Sequence, residues 1–406
     1  MSGHILDGLR VIELSAFVAA PLGGATLAAM GAEVIRIDPP GGGIDIGRWP
    51  RWNGRSLYWA GLNQRKLSVA IDTGTAAGRA LVHDLVAGSG EGGGILLTNL
   101  PVEGWLGYEA LVARRPDTIM VVITGDPDGG IAVDYTINAA IGFPWVTGPQ
   151  EATGPVNHVL PAWDALTGYL AATALLAAER QRRLTRRGQL VRLSLADVAL
   201  AVAGNLGLLA EAQLDPTPRP RIGNHIYGTF GHDFVTRDGR YLMVVALTAR
   251  QWRSLLDATG TQESARALEE SLGVDLLEEG ARYRARAAIV AMLAPWFAQR
   301  DFGQVSEALE RDGVLFGPYQ TFKELVQSDP RASESNPMFS RIDQPGVGSW
   351  LAAGSPVRFH GSPRKPAVRA PRLGEHTEIV LTQLLGLSRD ELTMLRRDGT
   401  VATPEG

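Results

Sequence analysis

A chain of 406 residues with 45% hydrophobic and 20% charged side chains carries core material for two or three domains. Its net charge of -4 supplies no field for general nucleic-acid binding. The lack of cysteine removes disulfides, thiolate nucleophiles and Cys-ligated metals.

The N-terminus has no basic segment followed by an apolar core, so no secretory signal is expected. Leu14 to Ala32 is uncharged and about long enough to cross a bilayer. Pro21, the pair Gly23-Gly24 and the flanking Glu13 and Glu33 instead favour a buried strand, turn and helix. The expectation is a cytoplasmic protein with neither membrane nor nucleic-acid partners.

In chain order, residues 9–14 read as a strand, 21–30 as a small-residue helix and 32–37 as a second strand. Small residues let a helix lie close on a parallel sheet, the doubly wound pattern. Strand 67–71, helix 75–87 and strand 95–98 repeat it more loosely, before helix 108–114 and strand 118–123. The stretch His158-Val-Leu-Pro-Ala-Trp-Asp164 ends at the mouth of a long apolar helix over 165–179. There Asp164 meets unpaired amides and a positive dipole end, so it is expected to stay ionised. Locally it reads either as a helix N-cap or as a nucleophilic carboxylate. Arginines 180, 182, 183, 186 and 187 form a solvated helix end, followed by strand 190–194 and helix 195–213. Asp215-Pro-Thr-Pro-Arg-Pro220 is a stiff linker. Beyond it come strand 241–246 and a charged helical region over 251–310 with Trp252, Trp296 and Phe297 as core aromatics. A Pro/Gly-rich passage over 336–371 and a helix over 377–385 close the chain.

P-loop, zincin and serine-hydrolase motifs are absent. His225 and His232 sit in a Gly-rich turn region as surface or hydrogen-bonding residues, and no metal site is expected. Asp38 ends the second strand where a ribose-binding acid would stand. The first turn, however, reads Phe17-Val-Ala-Ala-Pro-Leu-Gly-Gly, and Pro21 removes an amide a pyrophosphate would need, so no NAD or FAD is expected.

The order of several motifs resembles the family III CoA transferases over nearly the whole chain. They are Leu6-Asp-Gly-Leu-Arg-Val-Ile-Glu-Leu-Ser15, Leu27-Ala-Ala-Met-Gly-Ala-Glu-Val-Ile35, Asn63 with Lys66-Leu-Ser-Val-Ala-Ile-Asp72, Asp164 with its helix, Gly188-Gln-Leu-Val191, Asp238-Gly239 and Pro371-Arg-Leu-Gly-Glu-His-Thr377. Within the family, Ser15-Ala-Phe-Val-Ala-Ala-Pro-Leu-Gly-Gly24, Val133-Asp-Tyr-Thr-Ile-Asn138, Val156-Asn-His-Val-Leu-Pro-Ala-Trp-Asp164 and Asn336-Pro-Met-Phe339 resemble members that move CoA from C1 to C4 of mesaconyl-CoA.

The resemblance implies an α/β fold: a Rossmann-like large domain with a parallel sheet, a smaller α+β domain and an interlocked homodimer. The large domain is expected over 1–214 and 336–406, the small one over 225–325, with linkers 215–224 and 326–335. The resemblance places Asp164 on the catalytic aspartate, whose carboxylate forms a mixed anhydride with the acyl group of an acyl-CoA. CoA enters as part of the substrate, with no permanently bound cofactor. The implied contacts are Phe17, Val18 and Ala19 beside the thioester, Leu62 and Lys66 along the pantetheine and nucleotide, Asn99 after the third strand of the series and Tyr135 near the pocket. Arg48, Arg51 and His158 are candidates for holding the free substrate carboxylate.

The departures also inform. Val133 stands where racemases of the family carry a catalytic His, and Leu247-Thr248-Ala249 where they carry a Glu, so racemisation lacks its second base. The family's glycine-run lid is missing near Thr248, and basic nucleotide contacts are missing at Pro39 and in Trp105-Leu-Gly-Tyr108. Transfer between two separate acids, and acyl-CoA binding without catalysis, are the competing readings.

Overall fold

The computed structural model describes residues 4–88, 90 and 92–404. Six strands form the spine of one unit: β1 Arg10–Leu14, β2 Glu33–Asp38, β3 Leu67–Ile71, β4 Ile95–Thr98, β5 Ile119–Thr124 and β6 Leu190–Ser194. They pair in parallel in the order β3-β2-β1-β4-β5-β6, that of a doubly wound nucleotide-binding sheet. Ile12 lies between Ile35 and Leu96 in this register. Val11, Ile12, Val34, Ile35, Leu96, Leu97, Val121 and Val122 are all buried, as expected of strands covered on both faces. Val401–Ala402 adds a short antiparallel edge strand beside β3. Gly374, His376 and Thr377 also bond to β3, tying the C-terminal stretch to the sheet.

Five helices of this unit matter for the site: α1 Ala19–Ala29, α2 Leu57–Leu62, α3 Asp134–Ala140, α4 Ala162–Thr185 and α5 Leu195–Asn205. Helices α1 and α4 meet at glycines. A β-carbon on Gly168 would lie 2.7 Å from the Ala19 carbonyl, and one on Gly23 3.1 Å from the Gly168 carbonyl. Asp164 is one helical turn before Gly168, so this close approach sets it against the turn leaving β1.

Residues 14–32, long enough to span a bilayer, fold as the end of β1, a turn and α1. Among the described residues no single helix is long and apolar enough to cross a membrane. Helix α4 begins at Ala162, three residues ahead of the sequence reading, so Asp164 lies within its first turn. The single helix read over 195–213 breaks into α5 and Leu208–Leu214, because Gly207 takes a φ of +79° between them.

The chain divides into two compact units. One gathers the chain up to Ile141, Val159–Glu211 and the chain from Pro330 onward; the other holds Gly142–His158 and Ala212–Asp329. The stretch Gly142–His158, read from sequence as part of the large domain, groups with the second unit. That unit carries an antiparallel sheet of β7 Phe230–Val235, β8 Tyr241–Ala246 and β9 Leu315–Pro318. Its core holds Phe230, Trp252 and Phe297, with Phe234 stacked on Phe297 at 4.2 Å. Trp296 is half-buried and packs against this core edge-on to Phe297 at 5.0 Å, with the Arg300 guanidinium over its ring. The His225 and His232 rings stack on each other at 4.2 Å. The sequence reading missed β7, β9 and the hairpin Phe339–Gln344 with Gly348–Ala353.

Candidate active site

Strand order reverses between β1 and β4, and doubly wound sheets bind ligands beyond the carboxyl ends of the strands at such a point. Asn99, just past β4, reaches across this gap. Its Nδ2 donates to the Ala16 carbonyl at 2.7 Å, and its Oδ1 accepts from the Ala16 amide at 2.9 Å. Phe17 follows with a φ of +63°, a left-handed conformation that costs a residue with a β-carbon about 1–2 kcal/mol. Such strain is characteristic of functional turns. Val18 and Ala19 are buried as the chain enters α1.

The start of α4 explains how Asp164 is held. Pro161, at the N-cap position, offers no capping side chain. Asp134 supplies the acceptor from outside: through Oδ2 it accepts from the Trp163 amide at 2.7 Å and from the Asp164 amide at 3.1 Å. Asn138, one turn along α3, accepts from the Trp163 indole at 3.3 Å. The capping role considered for Asp164 therefore belongs to Asp134. Among the described residues the half-buried Asp164 carboxylate makes no hydrogen bond. Nor is it held firmly ionised, as a helix terminus alone suggests. Burial, and then the Asp134 charge, push Asp164 up to about 7 against the opposing pull of Arg48.

Arg48 is exposed, with its guanidinium 5.0 Å from the centre of the Phe17 ring and 5.3 Å from that of Tyr58. Its backbone is fixed on both sides: Ser56 Oγ donates to its carbonyl at 2.6 Å, and its amide donates to the Asp45 carbonyl at 3.1 Å. Burial pushes the Tyr58 phenol up to about 12, against Arg48 and with help from Asp164 and Asp45, so it remains a proton donor.

Beneath this surface runs a buried network of Glu13, Arg36, Asp38, Asp45 and Lys66. Arg36 Nε donates to Asp38 at 2.9 Å and its Nη2 to Asp45 at 3.1 Å. Lys66 Nζ donates to Glu13 at 2.8 Å, to the Pro21 carbonyl at 2.8 Å and to Asn63 at 2.9 Å. This corrects the sequence reading of Lys66. Its side chain is 0% exposed and its ammonium is fully occupied within the protein, so it is not offered to a nucleotide. Burial, partly offset by Glu13, pushes it down to about 8. Asp38 is likewise closed on Arg36 and presents no ribose-binding acid.

The structure thus links Phe17, Arg48 and Asp164 through contact and charge, with Val18, Ala19 and Asn99 shaping the same turn. Tyr135 stands half exposed beside Asp134. Leu62 is half-buried at the end of α2, and Arg51 lies on the short hairpin Arg51–Trp52 with Arg55–Ser56, its Nε donating to the Gly47 carbonyl. His158 falls in the stretch that belongs to the second unit. Sequence reasoning missed Asp134, Tyr58 and Asp45. A signal for Asp134 existed: Pro161-Ala-Trp lacks any capping residue, so the amides of α4 required an acceptor from elsewhere.

The Asp164 carboxylate, in the first turn of α4, thus stands near the switch point of a doubly wound sheet, where such folds bind ligands. The chain matches the model of CoA-transferase family III over residues 6–377 and belongs to that family. It is 51% identical over 403 residues to the 2-methylfumaryl-CoA isomerase of Chloroflexus aurantiacus, covering 99% of this chain and 98% of that one. It is 30% identical to the succinyl-CoA–D-citramalate CoA-transferase of the same organism, over 96% of each. A solved CAIB/BAIF family protein from Brucella suis is 26% identical and superposes with a TM-score of 0.77 over 94% of this chain and 100% of that one.

Proposed function

We propose that this chain moves CoA from C1 to C4 of 2-methylfumaryl-CoA, with Asp164 carrying the acyl group. Identity to the isomerase over nearly the full length supports the substrate. The observation that carries the chemistry is the Asp164 carboxylate, free of hydrogen bonds beside Arg48.

Asp164 attacks the C1 thioester carbonyl, the C–S bond breaks, and CoA leaves as thiolate to give a mixed anhydride. The thiolate then attacks the aspartyl carbonyl, freeing the diacid and leaving an aspartyl thioester. The C4 carboxylate of the same diacid attacks that carbonyl and expels the thiolate again. Return of the thiolate to the C4 acyl carbon restores Asp164. Atoms balance without a second acid. The two carboxyls of a fumaryl skeleton are trans and cannot reach each other, so an enzyme carboxylate has to relay the acyl group.

In this reading the turn of Phe17, Val18 and Ala19 lies beside the thioester, Leu62 along the pantetheine, and Asn99 and Tyr135 around the pocket. Arg48 holds the free carboxylate, with Arg51 and His158 as the other candidates. Retention of the thiolate and the freed diacid calls for a closed pocket. The enzyme acts as an interlocked homodimer in the cytoplasm, with CoA entering only as part of its substrate.

The test is incubation of purified protein with the C1 thioester alone. Appearance of the C4 thioester with no added acid is expected. Conversion that begins only when a second carboxylic acid is supplied supports transfer between molecules instead. No conversion and no hydroxylamine-trapped acyl group leaves an acyl-CoA-binding protein.

A further inference from the structure

Asp134 has no role in the steps above, yet it is 2% exposed and only half used. Its Oδ2 takes the amides of Trp163 and Asp164, while its Oδ1 is buried without a hydrogen-bond partner. An unpaired buried carboxylate oxygen is costly, and a neutral asparagine would accept from the same two amides without burying a charge. The charge therefore serves something other than capping.

Asp134 is also rigidly placed. It opens α3, where Thr136 Oγ1 accepts from the Val133 amide at 3.1 Å, and Asn138 adds a second tie from α3 to Trp163. Because Asp134 bonds the backbone amide of Asp164 itself, its carboxylate is held at a fixed place against the residue that bears the nucleophile. The groups that face Asp164 are Asp134 from α3, Arg48 from the loop before the hairpin and Tyr58 from α2. Helix α1, packed against α4, carries no ionisable side chain. One exposed guanidinium thus stands against two carboxylates.

We propose that Asp134 is a positioning residue of the transfer, which ties the first turn of α4 in place and sets a fixed negative charge against the nucleophile. Acylation removes the charge of Asp164, so repulsion from Asp134 is relieved when the anhydride or aspartyl thioester forms. The free carboxylate is the species that is raised, and acylation proceeds from a less stabilised ground state.

The effect on turnover rests on the function proposed above; the effect on Asp164 does not. The experiment therefore follows the Asp164 carboxyl directly, by 13C NMR of protein labelled at the aspartate carboxyl carbons, in wild type, Asp164→Asn, Asp134→Asn and Asp134→Glu. A carboxyl titrating near 7 is expected in wild type and absent in Asp164→Asn. In Asp134→Asn, which keeps the amide acceptor and loses the charge, that titration moves down by about one pH unit or more. Asp134→Glu, which restores the charge, keeps it high. In turnover, Asp134→Asn shifts the acidic limb of kcat/KM the same way and lowers kcat several-fold with KM little changed. Asp134→Ala, which also releases the helix turn, loses roughly 100-fold. An Asp164 titration that is the same in wild type and Asp134→Asn overturns the proposal. If the titration moves but no isomerisation occurs in any variant, the proposed reaction fails while the role of Asp134 in setting Asp164 stands.

Discussion

Glu13, Arg36, Asp38, Asp45 and Lys66 use the same chemical vocabulary as Asp134, Asp164 and Arg48, but the two clusters behave differently. In the first, three carboxylates meet two cations, all fully buried, and Arg36 alone touches Asp38, Asp45, Ser15 and Asn63. In the second, two carboxylates meet one exposed guanidinium; each cluster holds one buried carboxylate oxygen without a hydrogen bond, Glu13 Oε2 and Asp134 Oδ1, but only the second also holds an acid, Asp164, whose carboxylate makes none at all. The near-complete pairing of the first makes it a scaffold, holding the strand ends and, through Asp45, the loop that bears Arg48. The incomplete pairing of the second leaves a carboxylate free to bond to something else. Ionisable residues at a sheet's carboxyl edge are therefore sorted into framework and chemistry by how fully they are satisfied.

The sharpest way to break this distinction is Asp164→Ala. Loss of turnover by about 10⁴-fold or more is expected, the scale seen when a nucleophile is removed. CoA binding, followed by calorimetry, is expected to survive. A variant that keeps more than a small fraction of the rate would mean that the free carboxylate is not the reacting group.

Arg36→Met tests the other side. It strands Asp38 and Asp45 as buried charges without their main partner, so a loss of about 3–5 kcal/mol in unfolding free energy is expected by denaturant titration. A loss below about 1 kcal/mol would show that the network does not act as framework.

Arg48→Met should do the reverse. Its side chain is exposed, so stability is expected to change by no more than about 1 kcal/mol, while kcat/KM falls roughly tenfold or more. The sign of its pH effect also follows. Asp164 must be deprotonated to attack, so wild-type activity should rise with pH through about 7. Arg48 favours the charged form, so its removal moves that limb to higher pH, opposite to Asp134→Asn. Limbs that shift in the same direction for both variants would contradict the charge arrangement described for the site.

How much of this was legible beforehand depended on whether the determining contact was local. The strands β1 to β6 show as apolar runs, and the helix behind Asp164 as an uncharged stretch, because burial on both faces writes itself into composition. Asp164 emerged through motif order, not through its own surroundings. The inward turn of Lys66 was hidden, since its partners Glu13 and the Pro21 carbonyl are some 50 residues away in sequence. Asp134 was hidden for the same reason: its amides belong to residues about 30 positions on. The hairpin over residues 339–353 was masked by the glycines and prolines around it, and β7 by its Gly-His-Asp interior, which breaks the alternation that marks a strand.

The mildest perturbation falls between the two clusters, at Asn99. Its two hydrogen bonds to Ala16 close the gap between β1 and β4 and brace the strained Phe17. Asn99→Ala is expected to cost about 1–2 kcal/mol of stability, the worth of two hydrogen bonds at a half-buried site. Because Phe17 lies under the Arg48 guanidinium, relaxation of its φ should also release Arg48, raising KM for the thioester more than it lowers kcat. A stability loss with unchanged kinetics would make Asn99 a structural clasp alone and would leave Arg48 dependent on Asp45 and Ser56 for its position. A kinetic effect would tie the strained turn to substrate binding and place Asn99 on the side of the chemistry.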